Sequence, residues 1–449
     1  MQCVAPTSRK LGLPGMDPRW PWVFLLLLHI LFGSVQQCEI PRGNSQAIRS
    51  LNAELLKLTV AETSEELNPS IYLGLRLSDD HSLARESQYL QRLHAAFQSN
   101  ASRPPSEVHY QEHPGTGRLA LNLLALRAAC QNMNTITGKQ LVTQLKLHLE
   151  EEMKQIDNKS IAHPVTNYYQ YSLGVLALCV HSKKINERVI DKLLHAEAQS
   201  KFRHIRGLSV DTEAMAGLAF ACLKRATGYT PELAPKLDHV VNRLKKKILR
   251  AQTSEGAFGN IYSSPLAVQF LIATRSSREP KCANGVAALL RSLEQGGFKN
   301  SLIMSQLLPV LHGKSYLDLA GLQCNAGRDS LEVGTPSPKP RGPSQPISVR
   351  LIVENSTSHL YKQLLQVPLG ASLLDILTAA RKLGHKPLSF ETEETLSGPL
   401  LTSMMGLKAQ KGERKYWKIL RAPNTSLREG IADYIPRNRE NIIFRFIPW

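Results

Sequence analysis

The chain has 449 residues and a formal net charge of +18 at pH 7. About 410 residues remain once an N-terminal leader is set aside, which is enough for two or three domains. The positive charge suggests nucleic acid as a possible partner. However, the basic residues are spread over many segments, and the leader predicts secretion. Nucleic acid is therefore not expected as a partner. An acidic receptor or a glycosaminoglycan surface fits the charge better, with solubility alone as the other explanation.

Residues 1–36 are predicted to be a signal peptide and leader. Basic residues precede an apolar run at 20–32, WPWVFLLLLHILF, which is too short to span a bilayer and is followed by small and polar residues. Cleavage is expected within 33–37, and Met16 is an alternative start. No other segment is long and apolar enough for a membrane span, so the sequence predicts a secreted protein without membrane insertion.

Six cysteines remain after Cys3 is removed with the leader. In an oxidising compartment they predict three disulfides, although the sequence alone leaves their pairing open. No two of them form a CxxC pair and no histidine clusters with them, which argues against a zinc site. The cysteines are Cys38, Cys130, Cys179, Cys222, Cys282 and Cys324. Four asparagines in N-x-S/T motifs are candidates for glycosylation: Asn100, Asn158, Asn355 and Asn424.

Two kinds of helical segment alternate between residues 44 and 324. One kind is amphipathic; in 138–156, for example, Leu141, Leu145 and Leu149 recur at a spacing of four, with residues 150–152 predicted on the opposite, charged face. The amphipathic segments are 44–60, 87–99, 138–156, 185–200, 231–252 and 284–296. The other kind is apolar on nearly all sides, and its segments are 68–77, 117–130, 167–180, 211–226, 263–274 and 301–313.

A helix that is apolar all round must be covered on every side. Six such helices, each next to an amphipathic one, predict an inner ring wrapped by an outer ring, which is an α6/α6 barrel over residues 38–324. Small residues such as Gly74 and Gly217 would let the inner helices approach closely. Polar residues collect at the N-terminal ends of the inner helices, as in HPVTNYYQYSLGVLALCV at 163–180. These ends predict a rim with backbone N–H groups available to a ligand.

The composition changes after Cys324. Residues 325–346 are predicted to be a linker, because VGTPSPKPRGPSQP at 333–346 contains five prolines and little apolar sequence. Residues 347–449 are predicted to form a small, β-rich α+β domain. Its predicted elements are a strand at 347–353, a helix at 371–383 and a terminal strand at 441–449. The fold class is therefore multidomain and mainly α.

The rim favours binding over catalysis. An α6/α6-barrel glycosidase needs two carboxylates, and Asp211 has no second carboxylate at an equivalent inner-helix position. Gln-Gly-aromatic segments at 252–260 and 295–300 are similar to those of terpene cyclases, but Asp79 and Asp80 lack the partner acids that such an enzyme uses. No GxSxG, HExxH, P-loop or Cys/His arrangement is present in the sequence, so the protein is not expected to be an enzyme.

Seven blocks occur in order along the chain: LNPSIYLGLRLS (67–78), YYQYSLGVLALC (168–179), SVDTEAMAGLAFACLKR (209–225), FGNIYSSPLAVQFL (258–271), SQLLPVL (305–311), LSGPLLTSMMG (396–406) and IADYIP (431–436). They resemble the transcobalamin branch of the vitamin B12 carrier family, which also includes intrinsic factor and haptocorrin. The resemblance runs from Cys38 to Trp449, over essentially the whole mature chain.

The resemblance implies that the barrel and the small domain bury cobalamin between them as a transported ligand. Uncharged amides and hydroxyls would pair with the amide fringe of the corrin, while apolar groups cover its ring. The matching blocks imply these cobalamin-binding residues: Thr166, Asn167, Tyr168, Tyr169, Gln170, Ser209, Val210, Asp211, Asn260, Ser263, Gln306, Leu400, Leu401, Thr402 and Trp417. The implied disulfides are Cys38–Cys282, Cys130–Cys324 and Cys179–Cys222.

Several of these assignments have a structural alternative. Tyr168 and Tyr169 could pack between helices, Asp211 and Thr212 could cap a helix, and Trp417 could fill the core of the small domain.

Two positions depart from the family. The histidine pair that precedes SVDT in the family, one member of which ligates cobalt, is replaced by Gly207 and Leu208. No protein metal ligand is therefore expected; water or a small exogenous ligand is predicted on cobalt, and His204 is a substitute on a nearby basic loop. Arg118 stands where the family has a glutamine that touches the corrin, and it could either donate to an amide oxygen or obstruct the cavity.

The function implied is that of a secreted, monomeric carrier that delivers cobalamin through a cell-surface receptor with acidic LDL-receptor-type modules. The alternatives are a diverged family member that binds another ligand or acts as an interaction protein, and an α/α-toroid enzyme. His181 and His239 are predicted to have no role in the site.

Overall fold

The structure is a computed structural model. It describes Cys38 and residues 44–60, 67–101, 115–158, 162–204, 207–276, 279–323, 329–331, 346–355, 358–385, 387–395, 398–409, 415–427 and 429–448. The predicted leader, Cys324 and most of the predicted linker lie outside these residues. No helix in the described part is long and apolar enough to cross a membrane.

Twelve α-helices precede the linker in the described part of the chain. In chain order they are α1 (Ser45–Leu58), α2 (Pro69–Arg76), α3 (Leu83–Ala101), α4 (Thr116–Ala128), α5 (Ile136–Asp157), α6 (Tyr168–Val180), α7 (Glu187–Ala198), α8 (Val210–Arg225), α9 (Leu233–Arg250), α10 (Ser264–Ala273), α11 (Pro280–Glu294) and α12 (Ser301–Leu311).

The even-numbered helices form a closed inner ring. Each packs against the next, from α2 through α4, α6, α8 and α10 to α12, and α12 packs back against α2. The odd-numbered helices pack outside this ring against their inner neighbours. Nearly every residue of the inner helices is buried, whereas the outer helices bury one face. The α6/α6 barrel predicted from the alternation of apolar and amphipathic segments is confirmed.

Glycine allows the inner helices to approach one another closely, as predicted. A Cβ atom built on Gly217 of α8 would lie 2.6 to 2.9 Å from three ring atoms of Phe270 on α10. A Cβ atom on Gly74 of α2 would lie 2.9 Å from the backbone Cα of Ser305 on α12. These distances are shorter than carbon–carbon van der Waals contact, so a larger residue at either position would push two neighbouring helices apart.

The inner helices run in the same direction. At the starts of α2 and α12, Asn68 Nδ2 lies 3.4 Å from Ser301 Oγ, and at the other end Arg225 of α8 donates to the carbonyl of Ala273 at the end of α10. We call the N-terminal end the rim and the C-terminal end the floor. The residues before the six inner helices, which mark the rim, are Asn68, Gly115, Asn167, Ser209, Ser263 and Asn300.

A short 3-10 helix, Tyr316–Gly321, closes the floor. It follows α12 and contacts α4, α6 and α8, with the side chain of Tyr316 almost fully buried. The backbone N–H of Tyr316 donates to the side chain of Gln269 on α10 over 3.1 Å, and the guanidinium of Arg127 donates to the carbonyl of Ala320. The barrel is therefore filled at its C-terminal end.

Disulfides join Cys38 to Cys282 and Cys179 to Cys222, which are pairings that the resemblance implied. The second of these connects the floor ends of α6 and α8. Cys130 is also disulfide-bonded, and its implied partner Cys324 lies outside the described residues.

Buried carboxylates connect the outer ring to the inner ring between α7, α8 and α9. Glu197 and Glu213 are each about 1% exposed, and Lys247 of α9 lies 2.8 Å from the first and 3.3 Å from the second. Burial raises the pKa of the Glu213 carboxyl to about 7, against the lowering effect of Lys247 and with a further rise from Glu197.

The raised pKa of Glu213 predicts a loss of stability as pH rises. The folded protein holds this proton more tightly than the unfolded chain, whose glutamates titrate near 4.5. The stabilisation is therefore present below pH 4.5 and is lost as pH rises through about 7, by on the order of 3 kcal/mol. Glu213→Gln should flatten this part of the pH profile of urea unfolding, whereas the exposed Glu232→Gln should leave it as in the wild type. If Glu213→Gln keeps the wild-type pH dependence of the unfolding free energy, Glu213 is not the group responsible for it.

The part of the chain after residue 346 forms a small domain with one helix and two sheets in its described residues. Its elements are β3 (Ile347–Glu354), β4 (His359–Val367), α13 (Leu373–Arg381), β5 (Phe390–Thr395), β6 (Gly398–Met404), β7 (Leu407–Lys408), β8 (Lys415–Arg421), β9 (Thr425–Ser426) and β10 (Glu440–Pro448). Two earlier strands, β1 (Arg203–His204) and β2 (Gly207–Leu208), form a hairpin in the barrel.

The larger sheet has the order β4-β3-β10-β8-β9, with β3 and β10 parallel and the other neighbours antiparallel. The smaller sheet has the order β5-β6-β7. Helix α13 packs against β4, and the buried face of the larger sheet alternates along β3, where Val349, Leu351 and Val353 are fully buried. The predicted small β-rich α+β domain is confirmed.

Part of the predicted linker lies against the barrel. The backbone N–H groups of Ser330 and Leu331 donate to the carbonyl of His81 over 3.1 and 2.9 Å. Three of the candidate glycosylation residues border elements of the fold: Asn158 ends α5, Asn355 follows β3, and Asn424 lies between β8 and β9. Their glycosylation, like that of Asn100, whose side chain lies outside the described part, stays a prediction.

Candidate functional site

The rim is built from side chains that cap the inner helices. An asparagine or serine side chain before the helix accepts a first-turn backbone N–H at α2, α6, α8 and α12. The side chain of Gln170 accepts the N–H of Gly117 on α4 over 3.1 Å, and Asn260 accepts two N–H groups ahead of α10. The prediction that these N–H groups are available to a ligand is therefore wrong for the capped groups, and the rim presents polar side chains instead.

Asp211 is not a helix cap. The cap of α8 is Ser209, whose hydroxyl accepts the N–H of Thr212 over 3.3 Å. Asp211 lies in the first turn of α8, where a carboxylate is favoured by the helix dipole, and it is half-buried.

A buried glutamate fixes the loop that carries Thr166. Glu152 of α5 is 1% exposed and accepts the backbone N–H and the hydroxyl of Thr166 over 3.0 and 2.6 Å, and the hydroxyl of Thr116 over 2.8 Å. The sequence interpretation placed Glu152 on the charged face of α5, which is wrong. Its position three residues after Leu149, on the apolar stripe of that helix, was the available signal.

Two neighbouring tyrosines point to different surroundings. Tyr169 of α6 accepts the side-chain N–H of Gln306 on α12 over 3.1 Å, across the inner ring. Burial raises the pKa of the Tyr169 phenol well above its usual value, with Tyr316 and Asp211 nearby. Tyr168 packs instead against Phe202, with ring centroids 5.5 Å apart, and its hydroxyl has no hydrogen-bond partner in the described part of the chain. Tyr169 and Gln306 thus lie inside the ring, and Tyr168 packs against the segment between α7 and α8.

The corner between α8 and α10 is tightly packed. A Cβ atom on Gly259, which has a φ of +71°, would lie 2.7 Å from Val210 Cγ2. Ser263 is 2% exposed, and its hydroxyl donates to the carbonyl of Phe258 over 2.6 Å and accepts the N–H of Asn260 over 3.1 Å. Val210 and Ser263 therefore shape this corner, while Asn260 is half-buried at its edge.

The two departures from the family lie at the rim. The guanidinium of Arg118 donates to the carbonyl of Leu67 over 3.1 Å, which connects the starts of α4 and α2. In the hairpin before α8, the backbone of His204 pairs with that of Gly207. His204 thus stands across the hairpin from Gly207, one of the two positions at which the resemblance implied a histidine. The described residues contain no group of three His, Cys, Asp or Glu that could hold a metal ion.

The predicted residues of the small domain have different degrees of exposure. Leu400 on β6 is 50% exposed, whereas Leu401 is buried and Thr402 donates its hydroxyl to the carbonyl of Glu391. Trp417 fills the small domain's own core: its indole N–H donates to the carbonyl of Leu407 over 3.2 Å, and its ring lies 4.9 Å from that of Phe446. Of these four residues, Leu400 is the one that offers an open apolar surface.

The small domain contacts the rim at α10 and α12. Asn300, the cap of α12, donates from its side chain to the carboxylate of Asp433. A Cβ atom on Gly398, at the start of β6, would lie 3.0 Å from Asn300 Nδ2. Ahead of α10, Tyr262 donates its hydroxyl to Glu429 of the small domain. Strand β6 and the turn at 429–433 therefore lie next to the ring of polar side chains.

The two histidines predicted to have no role lie away from these contacts. His181 follows α6 at the floor, where its Nε2 is 2.6 Å from the carbonyl of Leu123, and His239 is exposed on the outer helix α9.

Comparison with known proteins identifies the family. Residues 21–345 match the family described as "Eukaryotic cobalamin-binding protein". Transcobalamin-2 of Bos taurus is 43% identical over 95% of this chain and 98% of its own, and transcobalamin-2 of Homo sapiens is 42% identical over 95% and 99%. Cobalamin binding intrinsic factor of Canis lupus familiaris is 27% identical over 95% and 99%.

The fold comparison agrees with the sequence comparison. A crystal structure of haptocorrin in complex with Cbi superposes with a TM-score of 0.74 at 25% identity, covering 92% of this chain and 100% of haptocorrin. The resemblance found in the seven sequence blocks is confirmed. The chain belongs to the eukaryotic cobalamin-binding protein family.

Proposed function

We propose that this protein is a secreted, monomeric carrier that encloses cobalamin between the barrel rim and the small domain and delivers it to cells through a receptor. The observation that carries the proposal is the ring of uncharged amide, hydroxyl and phenol groups that the small domain contacts. Membership of a family of binding proteins supports a carrier over an enzyme.

The chemistry of the rim suits a flat ligand fringed with amides. Leaving a buried amide of the ligand without a partner would cost about 1–3 kcal/mol, so neutral donors and acceptors placed around the ligand give both affinity and selectivity. Asn167 is exposed on the rim, Asn260 and Tyr169 are half-buried, and Gln306 is buried; Asp211 adds one half-buried carboxylate to these neutral groups. Leu400 would cover the ligand from the small domain. Thr166, Gln170, Ser209, Val210 and Ser263 would hold these groups in place through the contacts described above.

Three of the predicted ligand contacts take a supporting role in this proposal. Tyr168 packs outside the inner ring, while Leu401 and Trp417 form part of the small domain's core. Cobalt would carry water or a small exogenous ligand, since Gly207 has no side chain to coordinate it. The excess of basic residues supports an acidic receptor surface as the second partner.

Equilibrium binding of the purified, disulfide-bonded protein tests the proposal directly. We expect the protein to bind one equivalent of cobalamin per chain at micromolar concentration or below. The absorbance of the corrin measures the amount bound. Parallel titration with cobinamide separates a cobalamin carrier from a diverged member with another ligand. A folded protein that takes up neither corrinoid would overturn the proposed function.

Adjacent tyrosines provide a matched pair of variants. Tyr169→Phe removes the phenol oxygen that accepts from Gln306, and it should weaken cobalamin binding by about tenfold, the effect of one buried hydrogen bond. Tyr168→Phe, at the neighbouring position, removes a hydroxyl that has no hydrogen-bond partner among the described residues. The dissociation constant of this variant should stay within about twofold of the wild type. The measurement is titration of both variants after their melting temperatures have been compared. Equal effects of the two variants on binding would contradict the placement of Tyr169 inside the site and of Tyr168 outside it.

A further inference from the structure

The turn at 429–433 brings two carboxylates to the boundary between the domains. Glu429 accepts the hydroxyl proton of Tyr262, and Asp433 accepts the side-chain N–H of Asn300, both of which belong to the barrel rim. The start of β6 at Gly398 approaches the same asparagine. This turn and the rim side chains it meets, Tyr262 and Asn300, are called the latch below.

The partners of the two carboxylates are neutral. An amide and a phenol face them, and neither carboxylate forms a salt bridge within the described ranges of the chain. Asp433 Oδ1 is buried and has no hydrogen-bond partner among the described residues. An ionised carboxylate that loses water without gaining a cation is costly, and two such groups in one turn repel each other. Closing the domains over an ionised latch is therefore unfavourable relative to closing them over a protonated one.

Asp433 faces groups from its own turn and from two segments of the barrel rim. Its own turn supplies Glu429, the segment before α10 supplies Tyr262, and the start of α12 supplies the uncharged Asn300. Burial raises the pKa of Asp433 to about 6, the side chain of Asn300 and the N–H of Gly430 lower it, and Glu429 raises it further. The pKa of Tyr262 is raised to about 12 by burial and by the two carboxylates, so the phenol stays neutral throughout the relevant range.

We propose that Asp433, with Glu429 beside it, makes the contact between the domains tighten in mild acid, so that the carrier retains its ligand more firmly at pH 5 than at pH 7.4. The inference rests on the proposed function, because ligand retention is what the latch would control.

The direction follows from where the proton is held. In the closed form burial raises the pKa of Asp433 to about 6, and moving the domains apart would return its carboxyl to solvent and its pKa toward the ordinary value of 3.8. Closure therefore takes up a proton between these values and is favoured as pH falls. Between pH 7.4 and pH 5 the closure equilibrium shifts by about tenfold for one such group. A ligand that leaves through the open form is expected to dissociate about tenfold more slowly at pH 5.

The test compares dissociation of bound cobalamin at pH 7.4 and pH 5 in the wild type and in Asp433→Asn. The amide imitates the protonated carboxyl, so this variant should release slowly at both pH values. Glu393→Gln changes an exposed carboxylate of the same domain and should behave as the wild type. A wild-type dissociation rate that does not change with pH would overturn the proposal, and so would an Asp433→Asn variant that keeps the wild-type pH dependence.

A second readout needs no ligand. Dyes attached at the exposed positions Lys246 of the barrel and Lys362 of the small domain report the separation of the domains by energy transfer. The closed population should rise between pH 7.4 and pH 5 in the wild type and stay constant in Asp433→Asn. Failure to bind cobalamin would then reject the proposed function, whereas a closed population independent of pH would reject the latch.

Discussion

Cutting the chain between the barrel and the small domain is expected to accelerate release of bound cobalamin by on the order of 10²–10⁴-fold. In the intact protein the chain is held to the barrel just before the small domain, because Ser330 and Leu331 form backbone hydrogen bonds with His81. The first strand of the small domain, β3, begins soon after, at Ile347. The short intervening segment keeps the local concentration of the small domain high, so a domain that opens closes again before the ligand leaves. After cleavage an opened domain can diffuse away.

A protease site introduced at Pro338 makes the cut, and displacement of labelled cobalamin by an unlabelled excess gives the rate. The same variant without protease, and the wild type after protease treatment, are the controls. The measurement is made at nanomolar protein, so that separated domains do not rebind. Identical release from cut and intact protein would show that the barrel alone holds the ligand.

Glu86→Ala is expected to lower the free energy of unfolding by about 3–5 kcal/mol, the usual effect of removing one partner from a buried ion pair. Glu86 of α3 is 2% exposed. Its carboxylate accepts from the guanidinium of Arg76 over 3.2 Å and from the N–H of Ser82 over 3.2 Å, and it lies 3.1 Å from His81 Nδ1. Without it, the guanidinium of Arg76 at the end of α2 stays buried and loses the carboxylate that pairs with it in the described part of the chain.

Urea unfolding of the disulfide-intact protein measures this effect. Glu54→Ala removes an exposed carboxylate paired with Lys57 and should change stability by less than about 1 kcal/mol, since exposed pairs contribute little. A Glu86→Ala variant as stable as Glu54→Ala would contradict the role of the buried pair.

The ring architecture was predictable because it depends on which residues are apolar and how often they recur. Segments such as 167–180 are buried on all sides, and 138–156 has one apolar stripe, so each could be assigned to a ring from composition alone. The helix ends were predicted within about four residues from where the apolar periodicity begins and stops, whereas the capping residues were not: Ser209 caps α8, where Asp211 and Thr212 had been considered. In the small domain, β3 and β10 followed from their alternation and α13 from its helical spacing, whereas β4 to β9 were not predicted individually.

The direction of individual side chains was not predictable. Tyr168 and Tyr169 are adjacent and chemically identical, and one packs against Phe202 while the other reaches Gln306, a residue 137 positions away. Such contacts depend on how whole helices are rotated against one another. Trp417 illustrates the same difficulty: a large flat ring suits a ligand site and a domain core equally well, and only the packing of β8 against β10 distinguishes them.

The pairing of cysteines was likewise open on the residues alone. Cys38 and Cys282 are separated by 244 positions, and no local pattern connects them. Closure of the inner ring brings the two ends of the barrel together, and this long-range geometry allows the bond.

The 3-10 helix packs across the floor in the described part of the chain, so the proposed ligand would enter and leave the barrel at the rim. Binding and release of the ligand would then both require the small domain to move away from the rim. A change that holds the two domains together more firmly would therefore also slow ligand binding. The population of the open form in the ligand-free protein would set the association rate of the ligand, and the same opening step would set its dissociation rate. In such a carrier, a longer lifetime of the complex comes with a slower association rate, whichever residues hold the domains together.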